Sequence, residues 1–180
     1  MGALWRLEEV PGVIHGEVGM TISPYRESQY RQIADLFHDA VHAIAPELYS
    51  EQEKAAWAPT PPDYPAWKAR LAVKQPFVAT VDEVVVGFIE LEADGHIDCL
   101  YTHKDYQGQG VASQLLHHAW TVATSRALPR LYTEASKAAV PVFEKHGFEK
   151  IRVNRVRLRG QTLINYRMAV DLPSQPSRAL

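Results

Sequence analysis

A turn with two glycines, Gln107-Gly108-Gln109-Gly110, joins a β-rich segment that ends near Thr102 to a helical segment that begins at Val111. Glycine lets the backbone come close to a ligand, and successive N–H groups in such a turn point at one place. The N-terminus of the following helix adds roughly half a positive charge there. The turn therefore predicts a cradle for the phosphates of a ligand, with a plain tight turn as the structural alternative.

The residues around these glycines exclude two other phosphate-binding motifs. The dinucleotide fingerprint G-x-G-x-x-G needs a third glycine where this chain has Ser113. The P-loop needs Lys and then Ser or Thr directly after its last glycine, and here Val111 follows Gly110.

Hydrophobic periodicity on both sides of the turn predicts the surrounding sheet. Strands are expected at 20–25, 77–81, 84–91, 96–102, 130–134, 151–158 and 163–170. Helices are expected between Ser28 and Pro46, at 51–57 behind the cap Ser50, at 65–73, from Val111, and from the cap Ser136 to Gly147. This order predicts an α/β fold with a mixed, mostly antiparallel sheet and one strand–helix–strand unit at its centre.

Composition is that of an ordinary globular chain. Of the 180 residues, 46% are hydrophobic and 22% are charged, which argues against intrinsic disorder. The net charge of −2 gives no global basic field for nucleic acid, and no apolar run reaches the roughly 20 residues that span a membrane. The single cysteine, Cys99, excludes an internal disulfide and favours a cytoplasmic setting. We expect an N-terminal extension over 1–19, one domain over 20–172, and a flexible tail over 173–180.

Two stretches of the chain resemble a known family. Gln107-x-x-Gly110-x-Ala112 is similar to the Q/R-x-x-G-x-G/A motif of the GNAT superfamily of N-acetyltransferases, and 134–148, ending in Gly147-Phe148, resembles the second signature on the coenzyme side. The resemblance covers about 20–172 and is closest to a bacterial subgroup. It implies a GNAT-type sheet that binds acetyl-CoA as cosubstrate, without a metal, in a V-shaped cleft between the splayed fourth and fifth strands.

The resemblance also implies which residues hold acetyl-CoA. The backbone of Leu100 and Thr102 would pair with the pantetheine and the acetyl carbonyl. The amides that would hold the pyrophosphate belong to Gln107, Gly108, Gln109, Gly110, Val111 and Ala112. Ser136 stands where many members place an asparagine against the pantetheine arm, and a plain helix cap is the alternative.

The general acid cannot be assigned by resemblance. Many members protonate the leaving thiolate with a tyrosine at the position occupied here by Phe143, whose ring has no proton to give. We expect Phe143 to pack beside the pantetheine as an apolar wall. Tyr132, Tyr166 or water could act as the acid, or the thiolate could leave unprotonated.

The general base is predicted on the strand at 96–102. With a period of two, His96 and Asp98 share a face with Leu100 and Thr102, which should border the thioester. Histidine titrates near neutrality and can accept the proton of the amine, with Asp98 orienting it or binding the substrate ammonium. Glu90 and Glu92 are alternative bases, and a structural role for both residues of the pair is equally open.

The acceptor is less constrained by the sequence. His42 and Trp57 are candidate acceptor-binding residues in the first helical region, where His38 and His42 are too few ligands for a metal site. The family implies direct attack, in a ternary complex, by the primary amine of a small molecule or peptide. A homodimer is left open.

Two alternative functions belong to other classes. Phe143 leaves open a non-catalytic acyl-CoA-binding regulatory domain. Arg155, Arg157 and Arg159 form a basic stripe, but no aromatic platform for nucleic acid accompanies it, so a solvated face or a contact with an anionic acceptor is favoured.

Overall fold

The computed structural model describes residues 19–173, which form one seven-stranded sheet with helices on both faces. The strands are β1 (Met20–Pro24), β2 (Phe77–Val81), β3 (Val84–Leu91), β4 (His96–Thr102), β5 (Arg130–Ser136), β6 (Glu149–Leu158) and β7 (Gln161–Asp171). The helices are α1 (Tyr30–His42), α2 (Glu51–Trp57), α3 (Tyr64–Lys74), α4 (Val111–Ser125) and α5 (Val140–Lys145). The strand order is β1-β2-β3-β4-β5-β7-β6. The extension and tail expected from the sequence lie, except for Gly19 and Pro173, outside the described residues.

The first helices begin where local chemistry permits. Ser50 and Glu53 form a reciprocal capping box at α2, as the sequence predicts for Ser50. Ser28 does not cap a helix: it lies inside a 3₁₀ turn at Glu27–Gln29, and α1 follows that turn. The prediction that Ser28 caps the helix is therefore wrong, because a 3₁₀ turn forms before the α-helix begins at Tyr30.

The centre of the sheet is the predicted strand–helix–strand unit. β4 and β5 are parallel and α4 connects them, whereas all other neighbouring strands are antiparallel. The two parallel strands pair only at His96 with Tyr132 and at Ile97 with Thr133. The Thr133 hydroxyl adds a hydrogen bond of 2.8 Å to the Ile97 carbonyl. Beyond this short contact the strands part, which confirms the mixed sheet and opens a gap in its middle.

A β-bulge interrupts β4 at the start of the gap. Glu90 pairs with Cys99 and Leu91 with Ile97, so Asp98 is an extra residue with no partner on β3. As a result Leu100 packs into the core that contains α4, while Cys99 packs into the core beside α3. The expectation that His96 and Asp98 share a face with Leu100 and Thr102 is therefore wrong, because the bulge breaks the period of two.

Two apolar layers hold the helices against the sheet. α4 packs on one face through residues such as Leu115, and α1 and α3 pack on the other through Ile33 and Leu71. Gly87 allows the close approach of α4, since a Cβ there would lie 2.7 Å from the Val111 side chain. The N-terminus of α4 is thereby placed beside the gap. Within residues 19–173, no helix has the length and apolarity needed to cross a membrane.

Candidate active site

Two cavities meet where β4 and β5 separate. An outer groove of about 490 Å³ runs along the N-terminus of α4, and an inner cavity of about 240 Å³ lies on the side of α2 and β7. The residues common to both walls are Leu100, Tyr101, Ser136 and Ala139. A ligand in the groove can therefore reach a second ligand in the inner cavity through the gap in the sheet.

The groove suits the phosphates of acetyl-CoA. Gly108 and Gly110 have φ angles of +75° and +81°, and a Cβ at either position would meet no atom within 4 Å. No side chain caps α4, so its first N–H groups are available to an anion. The positive φ angles, which glycine adopts without strain, and the empty space fit a backbone cradle. Thr102, Gln107, Val111 and Ala112 lie on the same wall. Gln109 is not on that wall, and its side-chain amide donates to the Asp105 carbonyl at 3.2 Å.

Ser136 lies at the junction of the two cavities. Its Oγ accepts the N–H of Ala139 at 3.1 Å, so the capping role is present one turn before α5. The residue also lines both cavities. A local cap and a contact with the pantetheine arm are therefore compatible at this position.

Phe143 forms an apolar part of the inner cavity. It is 2% exposed, and its ring centroid lies 5.0 Å from that of Phe148. Neither tyrosine considered as a substitute acid lines the inner cavity or the groove. The Tyr132 hydroxyl donates to Asp94, and the Tyr166 ring lies beneath the Lys150 ammonium.

Two other tyrosines line the inner cavity and were missed in the sequence. The buried Tyr49 hydroxyl donates to the Ile164 carbonyl and accepts the N–H of Lys137 at 3.0 Å, so it ties the α1–α2 connection to β7. Burial raises the pKa of Tyr101 well above its usual value, so this phenol keeps its proton. Tyr49 belongs to no motif identified in the sequence, and it lies 115 residues before its hydrogen-bond partner Ile164 in the chain.

His96 bridges two carboxylates at the closed end of the gap. Its Nδ1 lies 2.9 Å from Glu92 Oε2, and its Nε2 lies 2.5 Å from Glu134 Oε2. The ring stacks on Tyr132 with centroids 4.8 Å apart. Burial opposes the charged form, but the hydrogen bonds to Glu134 and Glu92 outweigh it and raise the pKa of His96. A carboxylate at each nitrogen favours the imidazolium form, which can donate a hydrogen bond from both nitrogens.

Asp98 does not orient His96. Its Oδ2 accepts from Arg70 Nη2 and from Lys74 Nζ, each at 2.8 Å. Burial raises the pKa of Asp98, but the hydrogen bond from Lys74 and the charge of Arg70 outweigh this, so the net pKa is lowered. Arg70 also donates through Nε at 3.0 Å and through Nη2 to the fully buried Glu90.

These residues form one connected set of ion pairs, which we term the charge cluster. Its carboxylates are Glu90, Glu92, Asp98 and Glu134, and its permanently charged cations are Arg70, Lys74 and Arg167. His96 is the remaining member. Four carboxylates against three cations leave one negative charge unbalanced unless His96 is protonated. The cluster therefore favours one additional cation, either the His96 proton or a bound ammonium.

The candidate acceptor residues differ in position. Trp57 lines the inner cavity. His42 does not line it, and its Nε2 lies 2.8 Å from the Ala58 carbonyl. Among residues 19–173, no group of three or more side chains is arranged to hold a metal ion.

A sheet that opens beside a glycine-rich helix N-terminus, with a charged cavity across the opening, is the architecture of a GNAT-type acyltransferase. The Acetyltransferase (GNAT) domain family matches residues 45–170. The chain is 34% identical over 147 residues to the N-acetyltransferase YafP of Escherichia coli K12, a match that covers 82% of this chain and 93% of YafP. The chain belongs to the GNAT superfamily of N-acetyltransferases.

Solved structures agree with this assignment. A GCN5-related N-acetyltransferase of Rhodopseudomonas palustris is 32% identical with a TM-score of 0.80, covering 84% of this chain and 95% of that one. The acetyltransferase yncA of Salmonella typhimurium, solved with acetyl-CoA, has a TM-score of 0.63 at 18% identity, covering 89% and 98%, and shows the common fold. These matches favour the enzyme over the non-catalytic domain that the sequence left open.

Proposed function

We propose that this protein transfers an acetyl group from acetyl-CoA directly to a primary amine that is bound in the inner cavity. The observation that carries the proposal is the junction of the groove and the inner cavity at Leu100, Tyr101, Ser136 and Ala139. Two ligands that occupy the cavities together meet in the gap between β4 and β5. A ternary complex needs no covalent acetyl-enzyme. Burial also raises the pKa of Cys99 well above its usual value, so the only thiol of the chain is a poor nucleophile.

Acetyl-CoA supplies the acetyl group and a thiol leaving group when bound. The backbone amides from Gln107 to Ala112, at the uncapped N-terminus of α4, would hold its pyrophosphate. Beyond Ile97, the edge of β4 that faces β5 is unpaired within the described residues. The backbone of Leu100 and Thr102 can therefore pair with the pantetheine and donate to the acetyl oxygen. Ser136 and the apolar wall of Phe143 would fix the reacting end and exclude water.

The proton of the acceptor leaves through the charge cluster. An alkylammonium has a pKa near 10.4 and must lose a proton before it attacks. When the ammonium binds near Asp98 and Glu134, it supplies the cation that the cluster favours, and this promotes loss of the His96 proton to solvent water. Neutral His96, which does not line the inner cavity, can then accept the proton of the amine through Glu134, which does, or through a water molecule.

In this proposal water protonates the leaving thiolate, and Tyr101 stabilises it with a hydrogen bond. Tyr101 borders both cavities and keeps its proton because burial raises its pKa. Such a phenol is better suited to donate a hydrogen bond to the thiolate than to transfer the proton completely. Phe143 is then not required to carry a hydroxyl.

The proposal is tested by CoA release over a panel of primary amines and short peptides, beside calorimetry with acetyl-CoA. We expect micromolar to millimolar binding of acetyl-CoA and turnover with a subset of the amines. Binding of acetyl-CoA without turnover of any amine would contradict the proposed transfer.

A further inference from the structure

A third cavity, of about 410 Å³, lies beside the inner cavity, among α1, α2 and α3. Its walls are mainly apolar and aromatic. The residues that line it are Ala34, Phe37, His38, Trp57, Ala58, Pro59, Pro61, Pro62, Asp63, Ala66, Trp67, Arg70 and Arg159. We call it the side cavity. The walls of the side cavity and of the groove share no residue.

Three contacts join the side cavity to the inner cavity. Trp57 lines both. Asp98 of the inner cavity accepts a hydrogen bond of 2.8 Å from Arg70 of the side cavity. Leu158 lines the inner cavity, and the next residue, Arg159, lines the side cavity. The inner cavity and the side cavity therefore adjoin, with Trp57 in the wall of both.

Aromatic rings shape the side cavity for a flat apolar group. Phe37 and Trp67 lie with ring centroids 4.8 Å apart, and Phe37 is again 4.8 Å from Tyr101. His38 is fixed by a hydrogen bond of 2.8 Å between its Nε2 and the Thr60 hydroxyl. Rigid rings at these separations favour stacking or edge contacts with another ring.

Two guanidinium groups at the side cavity have unused donors. Within residues 19–173, the exposed Arg159 makes no ion pair, and it donates through Nη1 to the Ala56 carbonyl at 2.6 Å, which leaves Nε and Nη2 without an acceptor in this range. Arg70 donates through Nε and Nη2 and leaves Nη1. The one carboxylate on the wall, Asp63, already accepts the N–H of Ala66 at 3.0 Å as the cap of α3. Donors without acceptors at the rim of an apolar cavity favour an anionic group.

We propose that the acceptor is a primary amine attached to a flat apolar ring that carries an anionic group at its far end. The amine lies at the charge cluster, the ring lies in the side cavity, and the carboxylate or phosphate binds Arg159. The charges are complementary along this path, because the acidic end of the site faces the ammonium and the arginine end faces the anion. The inference rests on the proposed acetyl transfer.

The neighbouring strand provides a matched control. Arg155 and Arg157 of β6 are exposed and, like Arg159, make no ion pair within residues 19–173. Unlike Arg159, neither lines any of the three cavities. The basic stripe predicted from the sequence is thus divided. A loss that follows Arg159 and not Arg155 reports the side cavity rather than the charge of the surface.

The experiment measures kcat/KM for four amines that separate the ring from the charge: 4-(2-aminoethyl)benzoate, phenethylamine, 6-aminohexanoate and hexylamine. We expect the first to be the best acceptor, and removal of its carboxylate to lower kcat/KM roughly ten- to hundredfold. Arg159→Gln should remove this preference, while Arg155→Gln and the conservative Arg159→Lys should keep most of it. Thermal unfolding of each variant checks that loss of the bond to Ala56 leaves the fold intact.

The outcomes separate this inference from the proposed function. Turnover of all four amines with equal kcat/KM, or a preference that persists in a folded Arg159→Gln variant, would overturn the inference and leave acetyl transfer standing. Failure of every amine, including those of the wider panel, while acetyl-CoA binds would contradict the transfer itself.

Discussion

His96 and Glu134 lie 2.5 Å apart, Nε2 to Oε2, across the last paired residues of β4 and β5. The contact sits where the two strands begin to separate, so the group proposed to accept the proton is anchored at the closed end of the gap. Glu92 holds the other nitrogen at 2.9 Å. Two carboxylate partners favour the protonated form of this histidine, which must lose its proton before it can act as a base.

The first prediction concerns the pH dependence of catalysis. The carboxylates of Glu134 and Glu92 raise the pKa of His96, against the opposing effect of burial. Since only neutral His96 accepts a proton, kcat/KM should rise with pH and reach half its limit above about 6.5, the ordinary histidine value. Fold stability should move in the opposite sense: the contribution of charged His96 is complete below about pH 6.5 and is lost as pH rises through the higher folded-state pKa.

Two variants test the origin of this behaviour. Glu92→Gln removes one carboxylate partner and should shift the acidic limb of kcat/KM to lower pH. His96→Ala should lower kcat by roughly 10²- to 10⁴-fold with little change in the affinity for acetyl-CoA. If the acidic limb of kcat/KM is unchanged in Glu92→Gln, or if His96→Ala turns over at a near-normal rate, then His96 has a structural role and another group is the base.

The second prediction concerns the glycine turn. Gly110→Val places a branched side chain in the space reserved for the pyrophosphate, and the affinity for acetyl-CoA should fall by about tenfold or more. Gly160 in the β6–β7 turn is a matched control, because its φ of +81° equals that of Gly110 and it also has no atom within 4 Å of a Cβ. Gly160→Val carries similar backbone strain away from the groove. Equal affinities for acetyl-CoA in the two folded variants, measured by calorimetry, would contradict the proposed pyrophosphate cradle at Gly110.

The third prediction concerns Phe143. The ring is 2% exposed in an apolar wall, and the proposed mechanism does not use a hydroxyl there. Phe143→Tyr should therefore change kcat by less than about tenfold for the same amines. A gain of several hundredfold would show that the parent lacks its acid and is not a competent catalyst without it.

The fourth prediction concerns the stability of the charge cluster. Arg70→Ala leaves Glu90, whose side chain is 1% exposed, without its partner, and should cost about 3–5 kcal/mol of unfolding free energy. Arg26→Ala is the control, because Arg26 and Glu83 are 57% and 85% exposed and their pair should contribute less than about 1 kcal/mol. Urea unfolding gives both values. Addition of Glu90→Gln to Arg70→Ala should recover part of the loss, whereas similar small losses in both single variants would mean that the buried charge is not held by Arg70.

Much of the fold could be predicted from local sequence. The strands β3 and β4 and the helix α2 have the bounds that alternation and capping indicate, and the two glycines mark the start of α4. The groove that we propose for acetyl-CoA lies at these same glycines, and backbone geometry rather than side-chain chemistry forms it. Local patterns suffice where the function depends on the backbone.

The catalytic side of the site could not be predicted in the same way. One extra residue at Asp98 reverses the faces of β4, and nothing in the strand's own residues announces the bulge. The partners Arg70 and Lys74 come from α3, and Glu134 comes from β5, so their pairing depends on packing. Tyr49 lies in the connection between α1 and α2, and its position depends on the contact with Ile164 of β7. Long-range contacts such as these have no local sequence signal.

The claim that both substrates meet in the gap between β4 and β5 is tested most directly by initial rates of CoA release over a grid of acetyl-CoA and acceptor concentrations, with the best amine of the panel. Because the groove and the inner cavity adjoin at Leu100 and Tyr101 and the single cysteine is buried, the account predicts a ternary complex and reciprocal plots that intersect. Parallel lines, as for an acetyl-enzyme that forms before the amine binds, would contradict it.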